Sequence, residues 1–334
     1  MFNNRFGHRS SASWMAVLKA AATSILMLTI ALAANAAQDY PSKPVRLIVP
    51  VPPGGPSDAL ARILSQRLAE VWKQPLVVEN RPGASNAIGT ELAARAAPDG
   101  YTVLLLVDST VTMLPFRKQG TPYSAQSLTP VMTLIDSPIV IAASSATKVQ
   151  TMSELVDLAK ARPGELGVAF GSFSTQVFLT QLSTLANMRL LPVPYKGAGE
   201  TTQALIAGDV RLAATAYASI RPHVGTGKIS ILAITGKTRH PAMPSVPTLA
   251  EIGYPGFDYG VWVGLAVPTG TPSQIIEKLH ADVGRIMETA DVQERVRAMG
   301  SLPIPGDPAS AAELVRVESA KWKKVIPTIS VEID

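Results

Sequence analysis

The chain has 334 residues, 47% of them hydrophobic, a formal net charge of +5 and no cysteine. That excludes disulfides, thiolate metal sites, a cysteine nucleophile and a lipid anchor on an N-terminal cysteine. Setting aside the three cations of an N-terminal leader leaves a net charge of about +2, with no basic stripe for a nucleic acid.

The leader has three parts. Met1 to Lys19 carries Arg5, Arg9 and Lys19 and no acidic residue, an apolar stretch runs from Ala20 to Ala33, and Ala34-Asn35-Ala36 offers a small-x-small cleavage site. This predicts a cleaved signal peptide over residues 1–36 and a periplasmic mature protein. An uncleaved anchor is the competing reading, but the apolar run falls short of the ~20 residues a membrane span needs. The mature part is expected to be soluble and, at this length, to form two domains held by their cores alone.

Val45 to Val51 reads as an apolar strand broken by Pro52-Pro53-Gly54-Gly55-Pro56. Ser57 or Asp58 then caps a helix to about Trp72, with Leu60, Ile63, Leu64, Leu68 and Val71 as its apolar face. A strand from Leu76 to Glu79, a helix near Asn86 to Ala97 and a strand from Tyr101 to Val107 follow. This β-α-β-α-β order predicts a parallel sheet with crossover helices. The order recurs with strands at Gly167 to Phe170, Leu190 to Pro194 and Arg211 to Ala216, and helices at Thr175 to Ala186 and Glu200 to Ala207. Ile229 to Ile234 is one further strand. Two extended apolar segments, Pro138 to Ser144 and Val261 to Pro268, suit a hinge with two strand crossovers. Three helices close the chain, about Pro272 to Thr289, Asp291 to Met299 and Pro308 to Val325.

Parallel α/β sheets bind ligands at the carboxyl ends of their strands. Here those ends are the loops Pro53 to Asp58, Asp108 to Thr110, Gly171 to Thr175, Tyr195 to Gly199 and Tyr217 to Ser219. Three of them run into helix N-termini, where backbone N–H groups and the helix dipole favour an anion. Gly54 and Gly55 permit close approach to the main chain, and Ser109, Thr110, Ser172, Ser174 and Thr175 offer hydroxyl donors. Each has a plainer reading: Ser57, Asp58, Ser174 and Thr175 as caps, Gly54-Gly55 as a turn, Lys196 and Arg221 as solvated charges, Trp262 as core. Catalytic motifs are missing. The mature histidines, His223, His240 and His280, are widely spaced, no G-x-S-x-G elbow occurs, and Gly225-Thr226-Gly227-Lys228 fails as a phosphate loop. The expectation is a binding protein rather than an enzyme, with no metal and no cofactor.

Five stretches then carry a resemblance. They are VPVPPGGPSDALARILSQRLAE (49–70), VVENRPGASNAIGTELAARAAPDGYTVLL (77–105), VPYKGAGE (193–200), VPTLAEIGYPGF (246–257) and WVGLAVPTGTP (262–272). Together, in order and across almost the whole mature chain, they resemble the Bug family, the periplasmic solute-binding receptors of tripartite tricarboxylate transporters. The resemblance implies an α/β, two-domain, type II Venus-flytrap fold, each domain a mainly parallel sheet flanked by helices. Domain 1 is expected at 38–139 plus 262–334 and domain 2 at 140–261. It implies a small carboxylate (a di- or tricarboxylate, an amino acid or an aromatic acid) bound by a monomer for membrane permease subunits, or for a sensor kinase in the alternative reading. The contact set it implies is Pro53, Gly54, Gly55, Ser57 and Asp58, then Ser109 and Thr110, then Ser172, Ser174 and Thr175, with Tyr195, Lys196, Gly197, Tyr217 and Ser219. Two departures stand out. Ser85-Asn86 replace the usual Gly-Gly after the NRPGA stretch, and the Gly171 to Val177 segment lacks the family's histidine. Phe173 in that segment offers an apolar wall suited to an aromatic or longer acid.

Overall fold

The computed structural model describes residues 40–329, so the expected leader at 1–36 lies outside the described residues. The chain separates into a unit ending at Lys43 and a second unit beginning at Pro44. The architecture below is that of the second.

Its first sheet grows from three parallel strands. β1 (Val45–Val49) lies between β2 (Leu76–Asn80) and β3 (Thr102–Val107). Helix α1 (Pro56–Trp72) links β1 to β2 and helix α2 (Ala87–Ala94) links β2 to β3. Pro56 starts α1 at a position whose N–H would have no partner anyway. Leu60, Ala61, Leu64 and Leu68 give α1 a buried face. The expected face is wrong at its last member: Val71 is 51% exposed, and Trp72 is buried instead. A polar anchor decides this, because the Trp72 indole donates to Asp282 at 2.7 Å.

β3, buried at every position, ends in the short helix α3 (Asp108–Thr112). Strand β4 (Leu128–Ser144) then runs for 17 residues, far longer than the Pro138 to Ser144 segment read from sequence. Its first part pairs antiparallel with β9 (Gly260–Pro268), which in turn pairs with β3. From Ile139 onward β4 pairs instead with a second sheet. β4 is therefore the strand the two sheets share, and two register shifts at 130–135 bend its first half.

The second sheet repeats the first. β5 (Gly167–Phe170) lies between parallel β6 (Leu191–Pro194) and β7 (Leu212–Ala216), and β7 and β8 (Ile229–Ile234) both pair antiparallel with β4. Helix α4 (Met152–Ala161) precedes β5, α5 (Phe173–Leu185) and α6 (Ala198–Ala207) are the crossovers, and the single turn α7 (Tyr217–Ile220) follows β7. Period-2 alternation sorts β4 between two cores. Ile139, Ile141 and Ala143 face the α5 side with Phe173 and Phe178, while Val140 and Ala142 face the α6 side with Leu205 and Ile220. Helices α8 (Ser273–Met287) and α9 (Ala290–Ala298), the short β10 (Leu302–Pro303) and α10 (Pro308–Val325) complete the chain, and β10 returns to pair with β4.

Candidate functional site

The carboxyl ends of both parallel trios open onto one cleft of about 700 Å³. One wall is the β1–α1 loop, Val51 to Ser57, with Asn86, Val107 and Ile135. The other holds Gly171, Ser172, Thr175, Tyr195, Gly197 and the first turns of α6. Thr215, Ser219, Val261, Val263 and Ser301 also line it.

Two of the helices that start at this cleft are capped by glycine. Gly55 caps α1 and Gly197 caps α6, and neither has a side-chain cap hydrogen bond. Their first-turn N–H groups are thus not claimed by a capping side chain, and their positive dipole ends meet the same cavity from opposite sides. α5 differs. Ser172 and Thr175 form a reciprocal capping box, the Ser172 hydroxyl accepting from Thr175 N at 3.3 Å and the Thr175 hydroxyl accepting from Ser172 N at 3.1 Å. Both line the cleft while serving as caps.

The β1–α1 loop is held by Asp58. Its carboxylate accepts from Gly54 N at 3.0 Å, Arg62 Nε at 2.9 Å and Asn80 Nδ2 at 2.9 Å. Burial raises its pKa, but the hydrogen bonds from Arg62, Gly54 and Asn80 outweigh that and hold the carboxyl below its ordinary value. Asp58 itself does not line the cleft. It fixes the loop that does. Asp58→Ala should cost about 1–3 kcal/mol of stability, because the Gly54 N–H and Arg62 lose their acceptor and the half-buried Asn80 amide keeps only Val51 O. Denaturant unfolding measures this, and a loss under 0.5 kcal/mol would contradict the clamp.

Of the residues expected from sequence, Pro53, Gly54, Gly55, Ser57, Ser172, Thr175, Tyr195, Gly197 and Ser219 line the cleft. Six lie elsewhere. Besides Asp58, Ser109 and Thr110 are buried in α3, where the Thr110 hydroxyl donates to Val107 O at 2.7 Å. Ser174 is buried and donates to the Asp108 carboxylate at 3.2 Å. Lys196 is exposed, and Tyr217 is buried edge-on against His240 with ring centroids 5.0 Å apart. Phe173 is no ligand wall, since it is fully buried in the core beneath α5.

The Ser174–Asp108 contact joins the second sheet's helix α5 to the first sheet's helix α3. Asp108 belongs to a buried acidic group with Asp136 on β4 and Glu318 on α10. Burial first, and then the charge of Glu318, pushes Asp108 well up and Asp136 up to about 6. Glu318 is also raised by burial, although the Trp262 indole donates to it at 2.9 Å. No group of three or more His, Cys, Asp or Glu side chains able to hold a metal ion occurs among the described residues.

Sequence reasoning missed Asn86, Thr215 and Ser301. Asn86 carries a readable signal. Ala84, Ser85 and Asn86 sit consecutively at φ 47°, 53° and 75°, in the left-handed region that favours glycine. Glycine is the residue that adopts such a backbone without steric cost. Here the strain is accepted and an Asn side chain is brought to the cleft instead.

The profile described as "Tripartite tricarboxylate transporter family receptor" matches residues 60–331. The chain belongs to this family. The receptor is 33% identical over 317 residues to Protein BugT of Bordetella pertussis, covering 92% of this chain and 95% of that one. It superimposes on MatC from Rhodopseudomonas palustris with bound malate at a TM-score of 0.81, with 31% identity, covering 86% of this chain and 100% of the other. The R. palustris protein Rpa4515 with adipate gives a TM-score of 0.82 at 28% identity, covering 87% and 99%. The fold is the two-domain type II binding-protein fold, and the receptor is a solute-binding protein of the periplasmic class. No helix among the described residues is long and apolar enough to cross a membrane.

Proposed function

We propose that this receptor captures a small organic carboxylate in the cleft, in the periplasm, and delivers it to the membrane permease of a tripartite transporter without chemically altering it. The observation that carries this reading is the pair of glycine-capped helix N-termini, α1 and α6, facing one cavity from opposite sheets. An anion between them meets N–H donors and two positive dipole ends. The relatives MatC and Rpa4515, solved with malate and adipate, support a carboxylate ligand.

The domain boundaries that suit this role fall at 139/140 and 261/262, within β4 and β9. Opening is a rotation about those two strands, parting Pro52 of the β1–α1 loop from Gly197 at the head of α6. A Cβ placed on Gly197 would lie 3.2 Å from Pro52 Cδ, so these rims are already close. Bound ligand locks the closed form and presents one composite surface to the permease. A thermal-shift panel of organic acids, amines and neutral sugars tests the reading, because a ligand specific to the folded state raises the apparent stability. At least one carboxylic acid should raise the melting temperature by several degrees; a response confined to amines or sugars contradicts the proposal.

A further inference from the structure

We infer that Thr215, Ser219 and Ser301 form a second polar subsite in the cleft, built for an uncharged hydroxyl or carbonyl group carried by the bound acid. This deepens the carboxylate reading and rests on it.

Thr215 and Ser301 are each 1% exposed, and Thr215 Oγ1, Ser219 Oγ and Ser301 Oγ are buried with no hydrogen-bond partner in the protein. Buried hydroxyls are nearly always paired, so three orphans lining one cavity mark a place where a partner arrives from outside the chain. They come from separate elements that abut. Thr215 is near the end of β7 and Ser219 is in α7, while Ser301 follows α9 in the chain's last third. Gly300 seats Ser301 against α7: it turns at φ 85°, and a Cβ there would lie 2.8 Å from Arg221 Cδ and 3.0 Å from the Tyr217 ring. The two sequence segments thus meet at one wall of the cleft.

The chemistry of the guest follows from the surrounding charge. Among the described residues lining the cleft, the only charged side chains are Glu200 and Asp209, both acidic. A second carboxylate would find no cation among the residues that line the cleft. A hydroxyl or carbonyl instead satisfies the three hydroxyls at no charge cost, since each can donate or accept. The neighbouring wall of Ile135, Val261 and Val263 suits the carbon chain between the two polar ends. The ligand class is therefore a hydroxy- or oxo-monocarboxylate.

The test is calorimetric titration of the mature receptor with straight-chain acids of three to six carbons. Each is taken as the unsubstituted acid, the ω-hydroxy acid and the dicarboxylate. At the best length the hydroxy acid should bind about tenfold or more tightly than the unsubstituted acid, and more tightly than the dicarboxylate. In Thr215→Val combined with Ser301→Ala the advantage of the hydroxyl should shrink to about twofold or less, with the unsubstituted acid's affinity unchanged. Ser301→Ala alone should remove part of it. Both variants should melt no lower than the wild type, because removing an unpaired buried hydroxyl breaks nothing; a clear loss of stability would mean that the hydroxyls serve the fold. Equal binding with and without the hydroxyl, a preference for the dicarboxylate, or an undiminished advantage in the double variant overturns the subsite and leaves the carboxylate reading standing. If no acid of any kind binds, the carboxylate reading itself fails.

Discussion

Gly171→Ala should lower the stability of the receptor by about 1–3 kcal/mol and weaken ligand binding at least tenfold, although it adds one methyl group. Gly171 ends β5 at the cleft, directly against the residue that caps α6. A Cβ at Gly171 would stand 2.5 Å from the Gly197 carbonyl oxygen and 2.7 Å from Thr201 Oγ1, closer than real Cβ contacts come. Thr201 cannot yield easily, since its hydroxyl donates to that same Gly197 carbonyl at 3.0 Å. The head of α6 must therefore move, carrying one of the two glycine-capped helix ends at the cleft with it. Gly199→Ala is the matched control: it lies two residues beyond Gly197, also lines the cleft, and its Cβ would meet nothing within 4 Å. Its stability should be unchanged or slightly raised, as expected for alanine in a helix. Equal unfolding midpoints for the two variants would contradict the packing argument.

Asp136→Asn should stabilise the receptor by about 2–3 kcal/mol at pH 7.5 and have little effect at pH 4. The folded protein holds the Asp136 proton up to about pH 6, whereas an exposed carboxyl releases it near 3.8. Between those values the folded state binds more protons than the unfolded state, so this group's contribution to stability falls as pH rises through the window and stays lost above it. A shift of about two units corresponds to about 3 kcal/mol at full burial. The residue stands between Ser137, whose backbone N–H it accepts from, and Gly260, whose Cα leaves room for the carboxyl. Asparagine keeps the shape and removes the charge. It also relieves Asp108, which Asp136 pushes further up. Urea unfolding of both proteins from pH 4 to 8 should show curves that coincide at the acid end and separate through pH 6. A constant offset across the range would show that Asp136 is not held protonated.

Much of the fold is legible in the sequence because its signals are local. Gly167–Phe170, Ile229–Ile234 and Pro308–Val325 occupy the residues expected of them. Each is bounded by an unambiguous breaker or cap, such as Asp307 accepting from Ser310 N at 2.7 Å before α10. Helix α4 escaped notice although Thr151 and Glu154 form a full capping box, and the first half of β4 escaped because Thr129, Pro130 and Thr133 interrupt its apolar run. Val71 was misplaced because periodicity counts hydrophobicity alone, whereas the Trp72–Asp282 hydrogen bond sets the rotation of the helix end.

The site was legible at the level of loops and less so at the level of side chains. The strand-end rule chose the loops, and nine of the fifteen expected residues line the cleft. Asp58, Thr110 and Ser174 are polar, yet local hydrogen bonds turn them to structural work, while Ser109 is buried within α3 and does not line the cleft. Ser301 could not be found from sequence, because it lies more than 80 residues from Thr215 and Ser219 and reaches them only through the return of the C-terminal segment to β4.

The proposed function requires the cleft to recognise a carboxylate. Calorimetric titration of the receptor with the acid that most raises its melting temperature, and with the methyl ester of that acid, separates a charged carboxylate from its neutral ester. The two differ in charge at the one group proposed to lie between α1 and α6. The acid should bind saturably and one to one, and the ester about a hundredfold or more weakly. An ester that binds as tightly as the acid would mean that the cleft does not recognise the carboxylate charge.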